Sequence, residues 1–408
     1  MLDKNYNKKL PTIVVGAGSV GVRFVQELFH NAPSTYIKLF GGENRKPYSR
    51  ENLSEFLSGK ISEDDLSADS KLPDSKFFTT FFNNTIQKID TKNYLVIDSK
   101  GVEHPYKNLV LATGSLPIIP KIDGLDLKNV IIFRNLEDAE ALLCRQISSR
   151  STVIIGGGQV GLDTASAMKR HNTDVTVIEH RKRLMFQSLD DHASVYLRLY
   201  LDDIGINVEI ETTVDELKGE NGKVTHVVLD DEEEIPCDTV IISIGIKPNI
   251  SIAQDTDLKI SRGIIIDDHL QTNLPGIYAI GECAEHRGLI HTRAEPGHKQ
   301  AKILAKNLSG RQPKTYSGTT SKTEFKVIDY PFLTIGENGD SPEKRKEVMF
   351  RDIKKMTYRK LILKNGHLRG VISAGRWAGG IELEKAVENQ KFIWPWQLSR
   401  FKETGNLS

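Results

Sequence analysis

Two segments of the chain repeat one pattern that strongly restricts what it can fold into. Residues 12–24 (TIVVGAGSVGVRF) and residues 151–163 (STVIIGGGQVGLD) each place an apolar, β-branched run before a glycine-rich turn and a helical pattern after it. The glycines follow the spacing G-x-G-x-x-G and are Gly16, Gly18 and Gly21 in the first segment, and Gly156, Gly158 and Gly161 in the second. A strand, a tight turn and a helix in this order open a βαβ unit with a parallel sheet.

Each glycine of such a turn has a separate physical task. The first permits the tight turn, the second lets backbone N–H groups approach a pyrophosphate, and the third lets the helix pack closely on the strand. The N-terminus of the helix adds free N–H donors and partial positive charge. An acidic residue roughly 20 positions further on suits a ribose hydroxyl, and Glu43 and Glu179 each fall near the end of the next predicted strand. The sequence therefore predicts two dinucleotide-binding units in one chain.

The charge balance gives no reason to expect nucleic acid as a partner. The 408 residues include 55 Lys and Arg against 54 Asp and Glu, for a net charge of +1. No apolar run approaches the roughly 20 residues that cross a bilayer, and the N-terminal segment MLDKNYNKKLPT has no apolar core for export. These features predict a cytoplasmic protein without a membrane span.

The cysteines do not form a recognisable redox or metal motif. The three of them, Cys144, Cys237 and Cys283, are too far apart in the sequence for a C-x-x-C pair or a ligand cluster. Reduced, buried thiols and no metal site are therefore expected.

The order of the predicted strands and helices divides the chain into three domains. Residues 1–120 contain the first glycine turn and residues 121–245 contain the second. Residues 246–315 return to the first domain, which is therefore discontinuous, and residues 316–408 form a C-terminal domain. The predicted fold class is α/β, with two Rossmann-like dinucleotide-binding domains and a C-terminal α+β domain.

Four further motifs accompany the glycine turns. They are LATGS at 111–115, FRNLEDA at 133–139, IGIKPN at 244–249 and TNLPGIYAIGECA at 272–284. In this order the chain resembles the two-dinucleotide flavoproteins of the pyridine nucleotide–disulfide oxidoreductase superfamily. The similarity is to the branch without a redox disulfide, which includes rubredoxin and ferredoxin reductases and the FAD/NADH module of NADH-dependent nitrite reductases. The resemblance implies FAD at the first turn, NADH at the second, and hydride transfer between them.

The resemblance also implies a set of cofactor contacts, transferred residue by residue. For FAD they are Gly16, Gly18, Ser19, Gly21, Glu43, Arg50, Thr113, Gly114, Gly281 and Glu282. For NADH they are Gly156, Gly158, Gln159, Val160, Asp163, Glu179 and Gly245. Because the flavin carries the redox chemistry, no catalytic side chain is expected. Glu179 would repel a 2′-phosphate, which predicts a preference for NADH over NADPH, although Arg181 and Arg183 lie nearby in the sequence.

Several positions depart from the family pattern. Residues 41–60 hold no cysteine, whereas the disulfide reductases of the superfamily carry their redox pair in this region. Glu55 stands where many relatives have a lysine near the flavin, Asp163 is shorter than the usual glutamate, and Glu282 replaces the usual aspartate. Without a redox cysteine, electrons must leave the flavin directly.

The sequence leaves the acceptor of those electrons open. The first hypothesis is a small carrier protein such as rubredoxin or ferredoxin, or a separate reductase partner. The alternatives are an NADH oxidase or diaphorase that reduces oxygen or quinones, and a FAD/NADH-binding signalling protein of the apoptosis-inducing-factor type. With three cysteines and no sirohaem region before Ser408, the chain is not expected to reduce nitrite alone. Trp394, Trp396 and Phe401 could anchor a homodimer or pack on their own domain.

Overall fold

The chain forms two compact units, which a computed structural model describes over most of their length. The described residues are 10–170, 173–310, 313–320, 322–327, 329–338, 345–377 and 380–407. The N-terminal residues 1–9, which contributed to the expectation of no export signal, lie outside these ranges. The first unit comprises residues 1–118 and 246–319, and the second comprises residues 119–245 and 320–408. None of the helices in the described ranges is long and apolar enough to cross a membrane.

A five-stranded parallel sheet forms the centre of the first unit. Its strands, in spatial order, are Ile277–Ala279, Asn108–Leu111, Thr12–Val15, Ile37–Phe40 and Phe78–Phe81. All neighbouring pairs are parallel, and such strands are covered on both faces, which explains their largely apolar sequences. The helices Ser19–Asn31 and Ala294–Leu308 pack against each other and share one apolar core with the sheet.

Smaller elements complete the first unit. Two three-stranded sheets consist of Ile86–Asp90, Leu95–Asp98 and Glu103–Pro105, and of Ile264–Ile266, Ala284–His286 and Leu289–Ile290. Short helical segments lie at Arg50–Asn52, Leu53–Leu57, Glu63–Ser67, Ala68–Ser70, Ser251–Ala253 and Gly281–Cys283. The strand Ile246–Pro248 pairs antiparallel with Ser115–Pro117. This pairing fastens the later segment of the unit to the earlier one.

The second unit contains another five-stranded parallel sheet. Its strands, in spatial order, are Ile206–Ile210, Asp174–Glu179, Ser151–Ile155, Thr239–Ile242 and Val130–Ile132. Its helices are Leu136–Ser148, Gln159–Lys169 and Asp191–Asp203, and an antiparallel sheet consists of Val214–Glu220, Lys223–Leu229 and Glu234–Pro236. In the FRNLEDA motif, the side chains of Asn135 and Asp138 each accept the other's backbone N–H. The motif is therefore a capping box that starts a helix.

The C-terminal part of the second unit is an antiparallel sheet with two helices. The strands, in spatial order, are Lys322–Val327, Tyr330–Gly336, His367–Ala374, Thr357–Lys364 and Lys346–Asp352, and the helices are Gly380–Glu388 and Pro395–Thr404. Phe401 is fully buried in the core of this part, whereas Trp394 and Trp396 are 57% and 62% exposed. The architecture confirms the predicted α/β class, with two Rossmann-like parallel sheets and an α+β part at the end of the chain.

Asp98 is the centre of a buried polar network in the first unit. Its Oδ2 accepts a hydrogen bond from Asn84 Nδ2 at 2.9 Å and lies 3.0 Å from His104 Nε2. Its Oδ1 accepts the backbone N–H groups of Lys100 and Val102 at 3.0 and 2.9 Å. Burial would raise the pKa of Asp98, but these hydrogen bonds to the charged form outweigh burial and hold the pKa well below its usual range.

We expect an Asp98→Ala substitution to destabilise the protein in a pH-dependent way. Because the pKa is depressed in the folded state, Asp98 contributes stability above the unfolded value of about 3.9, and the contribution is lost as pH falls through the folded pKa. The difference in urea midpoint between wild type and variant should be largest near neutral pH and shrink below about pH 4. A difference that stays constant down to the acid range would contradict an ionic role for Asp98.

Candidate functional site

The first glycine turn has the geometry that a phosphate-binding turn requires. Gly16 has φ +118°, and a Cβ there would lie 2.0 Å from the carbonyl oxygen of Ala112. A Cβ at Gly21 would lie 2.0 Å from the carbonyl oxygen of Gly16, so the helix packs directly on the turn. Gly18 differs, because a Cβ there would meet no described atom within 4 Å. The second glycine therefore borders open space at the point where the helix begins.

The second glycine turn repeats this geometry. Gly156 has φ +117°, and a Cβ there would lie 2.2 Å from the carbonyl oxygen of Ser243. A Cβ at Gly161 would lie 2.1 Å from the carbonyl oxygen of Gly156, while one at Gly158 would meet nothing within 4 Å in the described part of the chain. No described side chain caps either following helix. An open space beside an uncapped helix N-terminus fits the pyrophosphate of a dinucleotide.

The other predicted contacts on these helices lie in the first turns. Ser19 and Gln159 are the first helical residues after the two glycine N-caps. Val160 is 44% exposed, so its apolar side chain is available to a ligand. Asp163 is half-buried one turn further along the same helix. Gly245 has φ +113°, in the region that favours glycine.

The two acidic residues predicted to contact ribose occupy different places relative to their strands. The carbonyl oxygens of Phe40 and Ile178 accept the N–H of the first glycine of each turn at 2.9 and 2.8 Å, so these two residues are equivalent. Glu179 follows Ile178 directly and ends its strand. Gly41 occupies the equivalent position in the first unit, and Glu43 lies two residues further on. The strand that was expected to end near Glu43 ends three residues earlier, at Phe40, before two glycines that weaken strand structure.

Two side chains from the following loop hold the Glu43 carboxylate. Tyr48 Oη donates a hydrogen bond to Glu43 Oε2 at 2.8 Å, and the Arg50 guanidinium forms an ion pair with Oε1. Burial alone would lower the pKa of Arg50, but the charge of Glu43 raises it. The structure thus brings Glu43 and Arg50 together and adds Tyr48, which the sequence reasoning missed. Its position between them in one polar segment was the available signal.

Glu282 lies in the short helical segment Gly281–Cys283, close to Gly114 and Ser115 of the LATGS motif. Its Oε2 accepts a hydrogen bond from Ser115 Oγ at 2.6 Å. Gly114 has φ +66°, and a Cβ there would lie 3.8 Å from the same oxygen. Thr113 Oγ1 donates to a backbone carbonyl of the IGIKPN segment at 2.7 Å. Thr113, Gly114 and Glu282 therefore form one cluster, and Ser115 is an additional member that the sequence reasoning did not single out.

Gly281 fixes this cluster to the helical layer of the first unit. It has φ +80°, and its N–H donates to Oε1 of the buried Gln300 at 2.8 Å. A Cβ at Gly281 would lie 3.3 Å from Val20 Cγ1, on the helix that follows the first glycine turn. The Gly281 turn and the first glycine turn are therefore neighbours in the same unit.

The thiols are not arranged for redox chemistry. All three cysteines are free. Cys144 is exposed, so the expectation of a buried thiol was wrong for this residue, whereas Cys283 is fully buried with its Sγ 3.4 Å from the carbonyl oxygens of Leu111 and Ile280. Burial raises the pKa of Cys283, and burial raises the pKa of Cys237 to about 12. A raised pKa removes the reactive thiolate at neutral pH. No group of His, Cys, Asp and Glu in the described residues could hold a metal ion.

Glu179 is fixed by two backbone donors. Gly157 N–H donates to its Oε2 and Arg181 N–H donates to its Oε1, both at 2.9 Å. The close approach needs glycine at 157, since a Cβ there would lie 2.4 Å from Leu184 Cδ2 and 3.1 Å from Glu179 Oε2. The carboxylate is nearly buried and lies against the second glycine turn. This position is suited to accept a hydrogen bond from an adenosine ribose.

The nearby arginines differ in their availability to a ligand. Arg183 is buried, and its guanidinium donates to the carbonyls of Leu189 and Phe186 and to Asp191 Oδ1. Arg181 is exposed, and its guanidinium lies 4.5 Å from the centre of the Phe186 ring. Arg183 therefore supports the loop itself, and Arg181 is the arginine that a bound nucleotide could reach.

Two such glycine turns, each on its own parallel sheet, define a two-dinucleotide-binding protein. A family model described as pyridine nucleotide-disulphide oxidoreductase matches residues 10–301. The chain belongs to this family of oxidoreductases, which confirms the resemblance inferred from its motifs.

Particular relatives show how far the similarity extends. The nitrite reductase (NAD(P)H) of Bacillus subtilis is 33% identical over 387 residues, which cover 94% of this chain and 48% of that protein. The rubredoxin-NAD(+) reductase of Pseudomonas putida is 32% identical over 352 residues, which cover 81% of this chain and 90% of that protein. The ferredoxin reductase for the CYP199A2 system from Rhodopseudomonas palustris has a TM-score of 0.86 at 25% identity, covering 96% of this chain and 99% of the other. The chain spans about half the length of this nitrite reductase, and about half the length of the assimilatory nitrate reductase electron transfer subunit of Bacillus subtilis, which it also matches.

Proposed function

We propose that the protein is an FAD-dependent NADH oxidoreductase that passes electrons to a small carrier protein of rubredoxin or ferredoxin type, or to a separate reductase partner. The observation that carries the proposal is the pair of glycine turns with open second positions, in a chain whose buried thiols have raised pKa values. When bound, FAD would take a hydride from NADH and pass the electrons on. The relatives named above, a rubredoxin reductase and a ferredoxin reductase among them, support this activity.

We propose that the first unit binds FAD. The turn containing Gly18 would hold the pyrophosphate with its backbone N–H groups. Glu43, oriented by Tyr48 and Arg50, would accept a ribose hydroxyl. Glu282, oriented by Ser115, would accept a hydroxyl of the ribityl chain. The domain limits remain as predicted, with FAD assigned to residues 1–120 and 246–315.

We propose that residues 121–245 bind NADH and that residues 316–408 form the C-terminal domain. The turn containing Gly158 would hold the pyrophosphate, and Glu179 would accept a hydrogen bond from the adenosine ribose. Val160 and Asp163 would lie along the bound nucleotide from the first turns of the helix. These residues orient the nicotinamide nucleotide, and the chain needs no proton-transferring side chain for hydride transfer.

The proposed function is tested by measuring which acceptor reoxidises the reduced flavin fastest. The purified protein, loaded with FAD, is reduced anaerobically with NADH and mixed in turn with rubredoxin, ferredoxin, a quinone and oxygen. We expect reoxidation by a small iron–sulfur carrier to be the fastest. Fast reoxidation by oxygen or quinone alone would favour the oxidase or diaphorase alternative. Failure of NADH to reduce the flavin at all would favour the binding-protein alternative.

We expect replacement of all three cysteines to leave electron transfer unchanged. The Cys144→Ala, Cys237→Ala and Cys283→Ala changes remove every thiol. Cys237 and Cys283 are buried with raised pKa values, and the exposed Cys144 forms no disulfide. The rate of flavin reduction by NADH and the rate of carrier reduction should both match wild type. A variant that keeps its flavin but no longer reduces the carrier would show that a thiol relays electrons.

We expect Glu179→Ala to weaken the use of NADH and to reduce the discrimination against NADPH. The substitution removes an acceptor for the ribose and a negative charge that opposes a 2′-phosphate. Hydrogen bonds to charged groups contribute about 1.5–3 kcal/mol, so kcat/KM for NADH should fall roughly 10- to 100-fold. Glu211→Gln, which changes an exposed carboxylate after the adjacent strand, is the matched control. A fall for both nucleotides by the same factor would contradict the specificity role.

We further propose a cytoplasmic homodimer that uses the exposed Trp394 and Trp396. Removal of residues 391–408 is a poor test, since it would also delete the buried Phe401 and Leu398. A Trp394→Ser and Trp396→Ser double variant leaves this core in place. Light scattering should then show a lower mass than wild type. An unchanged mass would show that the two tryptophans do not form the dimer interface. Cell fractionation tests the proposed cytoplasmic location.

A further inference from the structure

We propose that His180 sets how strongly the ribose subsite of the second unit rejects a 2′-phosphate, and that it makes this rejection weaker as pH falls. The inference rests on the proposed binding of NADH at Glu179 and specifies how its selectivity is regulated. His180 follows Glu179 directly, and its Nδ1 lies 2.9 Å from Glu179 Oε1.

The geometry makes His180 a direct partner of the carboxylate on its solvent-accessible side. The His180 side chain is 58% exposed, whereas that of Glu179 is only 9% exposed. Oε1 accepts the Arg181 N–H and is also in contact with His180 Nδ1. Oε2 accepts the Gly157 N–H and retains one lone pair for a ribose hydroxyl. A nucleotide at this subsite would therefore meet Glu179 Oε2 and the exposed imidazole together.

The charge of the imidazole decides what a 2′-phosphate would encounter. With a neutral imidazole, the Glu179–His180 pair carries a negative charge that repels the phosphate. With an imidazolium, the pair is neutral overall, and Nε2–H becomes an additional donor. Histidine is the side chain that changes charge between about pH 5 and 8. Discrimination against NADPH should therefore decrease as pH falls through this range.

The other charged groups around His180 supply a constant background. On its own segment they are Glu179, Arg181 and Lys182, and Lys182 Nζ lies 3.4 Å from Asp191 Oδ2 at the start of the helix Asp191–Asp203. On the adjacent strand and directly after it they are the exposed Glu209 and Glu211. Arginine, lysine and carboxylate side chains keep their charge over this pH range. Within this set, histidine is the one residue type whose charge changes in this range.

The experiment uses two fragments that report on the ribose subsite alone. Isothermal titration calorimetry of the full chain measures Kd for 5′-AMP and for adenosine 2′,5′-bisphosphate at pH 5.5 and pH 8.5, at one ionic strength. The Kd for adenosine 2′,5′-bisphosphate divided by the Kd for 5′-AMP gives the discrimination against the 2′-phosphate. We expect this ratio in wild type to fall about three- to tenfold more between pH 8.5 and 5.5 than in His180→Asn. The residual change in the variant belongs to the phosphate, which itself titrates near pH 6.

The control variant is His226→Asn, which removes another histidine of the second unit, one whose Nδ1 contacts Thr225 Oγ1 instead of Glu179. It should show the wild-type pH dependence. If His180→Asn and wild type bind both fragments with the same pH dependence, the role of His180 is overturned while the nucleotide site stands. If neither fragment binds to wild type at either pH, the proposed NADH site fails and the inference fails with it.

Discussion

A Gly158→Ala variant is expected to fold normally, to keep its flavin and to lose most of its affinity for NADH. Gly158 has φ −83° and ψ 179°, which any residue adopts, and the added methyl group would meet no described atom within 4 Å. The free energy of unfolding should stay the same or rise by about 0.4–1 kcal/mol, as for other compatible Gly→Ala changes. The same methyl group would occupy the space through which the turn approaches a pyrophosphate.

The expected loss of NADH affinity is large because, at the proposed site, the turn would bind phosphate through several backbone donors at once. Each hydrogen bond to a charged group contributes about 1.5–3 kcal/mol, so losing one or two of them raises Kd at least about 10- to 100-fold. Anaerobic stopped-flow reduction of the flavin at increasing NADH concentration measures this Kd. The flavin absorbance of the same sample reports the occupancy of the first unit, so both units are followed in one experiment.

Two further glycine variants make the result specific. Gly18→Ala, with φ −75° and the same open surroundings, should also fold but should purify with little FAD. Gly161→Ala should instead destabilise the fold, because its Cβ would lie 2.1 Å from the Gly156 carbonyl oxygen. If Gly158→Ala bound NADH like wild type while Gly18→Ala lost its flavin, the second turn would not be a nucleotide site.

The sequence was informative where function depends on local backbone geometry. The first and third glycines of each turn were predicted from spacing alone, and the structure shows the contact that excludes a side chain at each. Glu179 could be placed because a strand end is a local feature. The family resemblance supplied Thr113, Gly114 and Glu282 as a set, and the structure adds the hydrogen bond that joins Ser115 to Glu282.

The sequence was less informative where a side chain depends on a partner elsewhere in the fold. The offset of Glu43 from its strand is visible only once the pairing register is known. Both guanidinium groups lie over the Phe186 ring. Only that of Arg183 also donates to nearby backbone carbonyls and to Asp191 at the start of the next helix, and these contacts are visible only in the fold. No spacing rule distinguishes two arginines that are two residues apart.

Asp190→Ala is expected to destabilise the second unit by about 2–5 kcal/mol, the sum of a lost helix cap and lost hydrogen bonds to a charged group. Asp190 Oδ1 accepts the Ala193 N–H at 2.8 Å and caps the helix. Its Oδ2 accepts hydrogen bonds from Tyr358 Oη at 2.6 Å and from Lys360 Nζ at 3.0 Å. Burial and the Asp190 charge raise the pKa of Tyr358, which therefore stays a neutral donor. Asp190 and Lys360 are buried, so removal of the carboxylate leaves the ammonium with Glu347 Oε2, 2.8 Å away, as its ion-pair partner.

The measurement is urea denaturation of wild type, Asp190→Ala, Lys360→Met and the double variant. The double variant loses the contact between Asp190 and Lys360 only once, so it should cost less than the sum of the single changes. Additive effects would show that the two residues do not interact.

The control is Lys218→Ala, which breaks the exposed pair between Lys218 Nζ and Glu234 Oε1. That contact, at 2.6 Å, is shorter than the 3.0 Å between Lys360 and Asp190, yet its loss should change stability little, because water replaces either exposed partner. Burial, and not the contact distance, therefore determines which ion pair stabilises the fold.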